Sequence, residues 1–319
     1  MQLGLGCVNL GTVSGGQGWR ADVRLVETAI DQGIRILDTA DAYGNGGSER
    51  VVGQAIRGRR DEVVVATKGG YVFRERSRAE VTARRIVKTT RDRVRSSGPT
   101  DGDGAAVGAG SYAAHDFSTT AMRSALDASL RRLGTDHVDV YQLHGPDEVM
   151  PDLIADLRGL VIAGKVRRLG VGCESIAAAA AWSEVAGVDV VQMPLGVLDP
   201  DAVETARAAA RRGVEVWARG VFAGGVLTAA RRDPAYVQRD PKGPLINQLQ
   251  ALADERGIDL FALALGFARS IPEVSTVLLG MSRPEHIERN LALAAAPELA
   301  PDVLAELHVI LDGWTPGAA

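Results

Sequence analysis

Eight short runs rich in β-branched and aliphatic residues recur along this chain, and longer stretches with apolar residues at helical spacing separate them. The runs are Leu3–Cys7, Ile34–Thr39, Val63–Lys68, Val138–His144, Val166–Gly172, Val188–Pro194, Val214–Gly220 and Val274–Gly280. An apolar stripe with a charged opposite face marks Val23–Gln32, Ser48–Ile56, Thr119–Leu133, Asp152–Ala163, Ser175–Val185, Ala202–Arg212, Leu245–Arg256 and Pro284–Leu293, and Ile258–Arg269 adds a further apolar helix. Gly33, Gly134, Gly164, Gly213 and Gly257 follow such stretches and supply the left-handed residue through which a chain leaves a helix. Strand then helix, repeated, dictates a parallel sheet, because parallel neighbours need a crossover longer than a hairpin. Eight such units predict a closed (β/α)8 barrel of the TIM type, an α/β fold forming one domain over residues 1–319.

The exception to this rhythm is residues 73–114, a long insertion after the third strand. A basic, helix-like half (RERSRAEVTARRIVKTTRDRVR) runs into a Gly/Ala-rich half (SSGPTDGDGAAVGAGSYAA) with too few large apolar groups to offset the cost of ordering it. The second half is expected to be mobile without a ligand. Two roles stay open for the insertion: a solvated surface excursion, or a flap over the site, since long loops after barrel strands lie on the catalytic face.

Composition narrows the function classes. Lys and Arg number 36 against 40 Asp and Glu, a net charge of −4 that offers no global attraction for nucleic acid or an anionic membrane. No apolar run reaches the roughly 18–20 residues of a membrane span, and the start MQLGLGCVNL lacks the basic flank and long apolar region of a signal peptide, so a cytoplasmic protein is expected. Cys7 and Cys173 make neither a disulfide framework nor a zinc site, and the five histidines show no ligand spacing, so no metal is expected.

In a barrel the reacting groups belong at the C-terminal ends of the strands. Asp38, Lys68 and His144 stand there on the second, third and fourth strands, with Tyr43 on the loop five residues past Asp38. Singly, each has a plain structural reading: a turn cap, a packed ring, a solvated cation, a core histidine. Together they suit one chemistry. A carbonyl oxygen receiving hydride gains negative charge and must be protonated, which a tyrosine hydroxyl can do if its phenolate is stabilised. Lys68 supplies that stabilisation, Asp38 keeps the buried lysine charged, and His144 orients the carbonyl oxygen or shares the proton work.

The segments ILDTADAYGNGGSE, VVVATKGG, SLRRLGTDHVDVYQLHGPD, AGKVRRLGVG, VDVVQMP and VLLGMSRPEHIERN resemble, in order and spacing, the successive signature segments of the aldo-keto reductase family. The resemblance runs from Gly4 to Leu293 with the insertion outside it. It implies a (β/α)8 barrel, a nicotinamide cofactor that is usually NADPH, and a catalytic tetrad at Asp38, Tyr43, Lys68 and His144.

The resemblance also implies cofactor residues. Gln192 would hydrogen-bond the nicotinamide carboxamide. The Ser-Asn pair that often helps it is replaced here by Gly172 and Cys173, which leaves backbone groups or Glu174 and Ser175 for that task. In WARGVFAGGVLT, Arg219 takes the place of the residue stacked on the nicotinamide, and the run Gly220–Leu227 passes beside the pyrophosphate. Gly280, Ser282 and Arg283 match the loop that holds the adenosine 2'-phosphate, with Arg289 and Asn290 toward adenine; His286 and Arg289 depart from the usual residues. The two cations favour NADP over NAD; a solvated helix face is their other reading. Family members often plug the barrel bottom with an N-terminal hairpin, whereas this chain starts almost directly at the first strand, so another element must close the bottom or it stays thinly covered.

The expected activity is therefore NADP-dependent interconversion of an aldehyde, ketone or sugar-like carbonyl with its alcohol, Tyr43 acting as general acid and base. The partner is a small-molecule carbonyl or alcohol, with Trp19, Tyr71 and Phe73 as candidate substrate-contacting residues at the barrel mouth. The alternative is a cofactor-binding regulatory or scaffold subunit with negligible turnover, for which Gly172 and Cys173 leave room. A nucleic-acid binder using Arg74–Arg95 is a third reading that the overall acidity disfavours. Oligomeric state is left open.

Overall fold

The computed structural model of the chain describes residues 1–13, 17–77, 79–85, 114–223, 226–227, 237 and 240–314. Its strands, in chain order, are β1 (Gln2–Gly6), β2 (Ile36–Asp38), β3 (Val64–Gly69), β4 (Tyr71–Val72), β5 (Ala114–His115), β6 (Val138–His144), β7 (Val166–Gly172), β8 (Val190–Pro194), β9 (Glu215–Arg219) and β10 (Val274–Gly280). Eight of them close a parallel barrel in the order β1-β10-β9-β8-β7-β6-β3-β2, and β1 pairs β2 with Gly4 opposite Ile36 and Gly6 opposite Asp38. Each of the eight expected runs holds one barrel strand. The remaining two, β4 and β5, pair antiparallel as a separate ribbon at the two ends of the insertion. The Gly/Ala-rich half of that insertion, with its expected mobility, lies outside the described residues.

Side chains pointing into an eight-stranded barrel must fill a narrow space. Ile36, Ala66, Val140, Val190, Trp217 and Leu278, one from each of six strands, form a buried cluster there. On β1 and β7 the space is left to neighbours. A Cβ on Gly4 would stand 2.5 Å from Leu278 Cδ2, and one on Gly170 would stand 2.8 Å from the Val190 carbonyl oxygen.

Near the bottom of the barrel, side chains of three strands join by hydrogen bonds and an ion pair. Glu215, the first residue of β9, accepts hydrogen bonds at Oε1 from Trp217 Nε1 (2.8 Å) and Ser275 Oγ (2.8 Å), and its Oε2 pairs with Arg168 of β7. Trp217 has no exposed surface.

The first helix, α1 (Trp19–Asp31), begins four residues before its expected start at Val23. The cause is tertiary. Asp22, buried at the head of the helix, accepts from the backbone N–H groups of Gly11 (3.0 Å) and Gln17 (2.8 Å), which ties the loop after β1 to the first helical turn. Next comes α2 (Gly47–Ala55), followed by α3, whose described residues are 79–85. Beyond β5 lies α4 (Thr119–Leu133), capped by the Ser118 side chain and ended by Gly134 at φ 68°. A C-terminal helix, Pro301–Asp312, was not among the sequence expectations; it buries Val303, Leu307 and Leu311, every fourth residue. Asp302 and Glu306 on its outer face pair with Arg256.

Candidate active site

The inward period of the strands fixes what stands above the apolar cluster. Two residues beyond Ile36, Ala66, Val140, Val190 and Trp217 come Asp38, Lys68, Gln142, Gln192 and Arg219, and His144 follows Gln142 by two more. The C-terminal mouth of the barrel is thus polar where its middle is apolar.

At the centre lies a buried ion pair. Lys68 Nζ donates to both oxygens of Asp38, at 2.6 and 2.7 Å, and to the Thr39 carbonyl at 3.1 Å. Two amides complete the shell of the carboxylate: Gln142 Nε2 to Oδ1 at 3.4 Å and Gln192 Nε2 to Oδ2 at 3.2 Å. Gly172 of β7 stands beside Lys68; a Cβ there would be in van der Waals contact with the Lys68 Cδ and Cε at 3.4 Å.

Tyr43 is held over the pair by the loop that follows β2. Asp41 N–H donates to the Lys68 carbonyl (3.0 Å), Ser48 N–H donates to the Tyr43 carbonyl (3.1 Å), and Ser48 Oγ donates to the Cys7 carbonyl (2.8 Å). The loop fits because Gly11 and Gly47 meet backbone to backbone: a Cβ on Gly47 would stand 2.3 Å from the Gly11 carbonyl oxygen. Behind it, the fully buried Glu49 accepts from Thr67 Oγ1 (2.5 Å) and Arg132 Nε (2.6 Å), which locks α2 and α4 to β3 next to Lys68. Lys68 Nζ lies 5.2 Å from the Tyr43 ring centroid, and the His144 ring stands edge-on to Tyr43 at 5.5 Å and 83°.

The electrostatics follow from burial and charge. Burial raises the Tyr43 pKa; the Lys68 ammonium, by its charge and by a side-chain hydrogen bond, pulls against this, and the net shift is upward. Burial acts to lower the Lys68 pKa, but Asp38 and then Tyr43 outweigh it, so the lysine stays protonated more firmly than a free one. His144 is pushed well below the ordinary histidine value, first by burial and then by the Lys68 charge, which leaves it neutral near pH 7. A protonated phenol, an ammonium and a neutral imidazole therefore share one mouth.

Tyr71 lies at this mouth, edge-on to His144 at 4.7 Å and 84°. It pairs across the ribbon with His115, whose ring is 4.2 Å away, and His115 in turn contacts Phe117 at 5.1 Å. Phe117 packs over Gly70, where a Cβ would stand 2.2 Å from the ring. The sequence reading missed His115 and Phe117 because only strand pairing across the insertion brings them to Tyr71. It also missed Gln142, although its place two residues before His144 already put it on the inner face. Phe73 lies just past the ribbon, half-buried. Trp19, by contrast, is the first residue of α1 and donates through Nε1 to Gln54 of α2 (2.8 Å), on the flank of the barrel and not in the aromatic cluster around His144.

Of the expected cofactor residues, Gln192 is buried and its Oε1 has no partner among the described residues. Arg219 Nη2 donates to the Cys173 carbonyl (2.8 Å) and to Glu174 Oε2 (2.8 Å), so a bridge crosses the mouth from β9 to the end of β7. Beside it a cleft of about 390 Å³ is lined by Pro194, Arg219, Gly220, Ala223 and Lys242, among others. Lys242, another residue the sequence did not announce, is tied to the Leu198 carbonyl (2.6 Å) and Asp199 (2.9 Å). Residues 224 and 225 of the glycine-rich run lie outside the described residues. After Gly280, the Ser282 N–H faces His286 Nδ1 at 3.4 Å, and Arg283 is exposed at the head of helix Pro284–Ala295. On that helix Arg289 stacks over the Phe261 ring at 4.7 Å, and Asn290 is buried with neither amide atom partnered among the described residues.

The sequence profile of the Aldo/keto reductase family matches residues 2–312. The chain belongs to this family. The aldo/keto reductases are oxidoreductases, and the barrel and its ordered segments agree with that membership. The chain is 29% identical to a D-threo-aldose 1-dehydrogenase from Pseudomonas sp, over 96% of this chain and 92% of the relative. Among solved structures it is similar to the holo form of the aldo-keto reductase AKR11C1 from Bacillus halodurans, with a TM-score of 0.75 and 26% identity over 97% of this chain and 91% of that one. It is also similar to an aldo/keto reductase from Klebsiella pneumoniae in complex with NADP and acetate, with a TM-score of 0.64 and 25% identity over 97% and 90% of the two chains. No helix of the described residues is long and apolar enough to cross a membrane.

Proposed function

We propose that this aldo/keto reductase is an NADP-dependent enzyme that interconverts an aldehyde, ketone or sugar-like carbonyl with its alcohol, with Tyr43 as proton donor and acceptor. The observation that carries the reading is the single mouth where a protonated Tyr43, a charged Lys68 and a neutral His144 converge. A sugar-like substrate is in keeping with the relative named an aldose dehydrogenase, and NADP with the Klebsiella pneumoniae complex.

The residues present fit a nicotinamide dinucleotide. Among the described residues, Gln192 Oε1 and both amide atoms of Asn290 are buried acceptors and donors without partners, a costly state that complementary groups of a ligand relieve. Gln192 would hold the carboxamide, Arg219 would lie over the nicotinamide ring, Gly220 and the cleft beside it would take the pyrophosphate, and Ser282, Arg283 and Arg289 would face the adenosine end. When bound, this cofactor supplies or accepts the hydride. The exposed Arg283 guanidinium at a helix head suits a 2'-phosphate, which is the ground for NADP over NAD.

In the reducing direction the carbonyl oxygen sits between the Tyr43 hydroxyl and the His144 ring. His144, being neutral, donates one hydrogen bond and adds no charge. Tyr43 gives up its proton as the oxygen becomes negative, and Lys68 stabilises the phenolate that is left. Asp38 keeps Lys68 charged, and Gln142 and Gln192 keep Asp38 in place. Tyr71, His115 and Phe117 form an aromatic wall for the substrate's carbon skeleton.

The test is the loss of NADPH absorbance on mixing the protein with a panel of aldehydes, ketones and aldoses, run beside NADH. Turnover that is faster with NADPH is expected. Tight NADPH binding, seen by fluorescence quenching, with no turnover of any carbonyl would replace this reading with the cofactor-binding subunit, for which Gly172 and Cys173 leave room. Faster turnover with NADH would overturn the NADP assignment.

A further inference from the structure

On the flank of the barrel, where the last turns of α2 and α4 meet, a cleft of about 600 Å³ is lined by Arg50, Arg57, Arg60, Arg131 and Arg132 and, among the described residues, by no Asp or Glu. This is a local excess of positive charge in a chain whose net charge is −4. Three of the five arginines are part of the frame. Arg132 holds the buried Glu49, Arg60 binds Asp139 and the carbonyls of Val63 and His137, and Arg50 pairs with Glu75. Arg57 and Arg131 are exposed, and among the described residues neither has an ion-pair partner.

The plain alternative is that these two cations compensate the C-terminal ends of α2 and α4, which face the same cleft. Each helix end carries about half a negative charge. Two such ends offset about one of the two guanidinium charges, so about one positive charge remains over. The walls add shape. Trp19 presents its indole at one side, fixed by the 2.8 Å hydrogen bond from Nε1 to Gln54. The cleft volume falls in the range of small-ligand sites, and guanidinium forks match phosphate oxygens in geometry as well as charge.

We infer that this cleft is a binding site for a small molecule carrying a diphosphate group, held by Arg57 and Arg131 against the Trp19 wall and separate from the barrel mouth. The carboxylates that pair with Arg132, Arg60 and Arg50, namely Glu49, Asp139 and Glu75, are not among the described residues that line the cleft. The inference is independent of the reaction proposed for the barrel mouth.

The experiment is calorimetric titration of the full chain with sodium pyrophosphate at low ionic strength, using the wild type, the double variant Arg57→Gln/Arg131→Gln, and Lys242→Gln in the cleft beside Gly220, where the pyrophosphate of a nicotinamide cofactor would lie. Saturable binding is expected in the wild type and in Lys242→Gln, weakened about tenfold or more in the double variant. Both substituted positions of the double variant are exposed and only the compensation of two helix ends is lost, so its thermal midpoint should fall by no more than a few degrees and the fold should be kept. Absence of binding by the wild type, or an unchanged isotherm in the double variant, would overturn the site. Binding lost in Lys242→Gln and kept in the double variant would also overturn it, by placing the pyrophosphate in the cleft beside Gly220.

Discussion

The Lys68 ammonium sits astride the Asp38 carboxylate, 2.6 and 2.7 Å from its two oxygens, and both side chains are at most 5% exposed. A pair so deeply buried is tolerable only while both members are present. Replacing Asp38 by Asn leaves Lys68 charged and uncompensated. The expected result is a stability loss of about 3–5 kcal/mol, read from urea unfolding midpoints at pH 7. The Lys68 pKa falls at the same time, because its largest favourable partner is gone. Unchanged unfolding midpoints would contradict the account of the pair.

Tyr43→Phe removes the hydroxyl and leaves the ring that packs against His144. Carbonyl turnover should fall by about 10²–10⁴-fold, the usual share of a positioned proton donor. NADPH affinity, measured by fluorescence quenching, should stay within about twofold, since no cofactor contact is assigned to the hydroxyl. Turnover equal to the wild type would remove Tyr43 from the mechanism.

His144 gives a pH signature with a definite sign. Its folded pKa lies well below its unfolded value of about 6.5. Between those two values the unfolded chain binds a proton that the folded chain refuses, so stability declines as pH falls through this window and is level above it. In His144→Gln that contribution disappears. Plotted from pH 8 downward, wild-type unfolding free energy should fall more steeply below about 6.5 than that of the variant. Parallel curves would mean that His144 titrates normally.

The barrel floor can be probed through Trp217, which fills the interior and donates to Glu215. Trp217→Ala should cost about 3–5 kcal/mol by opening a cavity. Trp217→Phe keeps a ring in the interior and loses the indole N–H and three heavy atoms, a much smaller cavity than Ala leaves, so its cost should be clearly smaller in the same unfolding assay. Equal costs would indicate that the hydrogen bond to Glu215, and not the filling of the barrel, carries the contribution of Trp217.

Much of the site was legible because a strand repeats every two residues. Once Ile36, Ala66 and Val140 are read as inner-face residues, Asp38, Lys68 and Gln142 follow on that face, and the loop spacing sets Tyr43 above them. What escaped the sequence depends on contacts between distant segments. Trp19 reads as a mouth residue until Asp22 binds the Gly11 and Gln17 N–H groups and draws it into the first turn of α1. His115 and Phe117 gain their place only through the pairing of Tyr71 with His115. The floor is the same kind of case: Arg168, Glu215 and Ser275 lie on three strands, and nothing local marks them as partners.

That pairing of Tyr71–Val72 with Ala114–His115 has a consequence for how this chain can vary over generations. The insertion departs from the barrel and rejoins it at adjacent points of a two-residue ribbon. Its length is therefore uncoupled from the geometry of the eight strands, apart from the stretch from Arg74 to Val81, which is tied to Asn45 and Arg50 and buries Val81. The aromatic rings beside the mouth belong to the ribbon itself. Lineages can lengthen, shorten or rewrite the excursion while inheriting an unchanged wall around the reacting group.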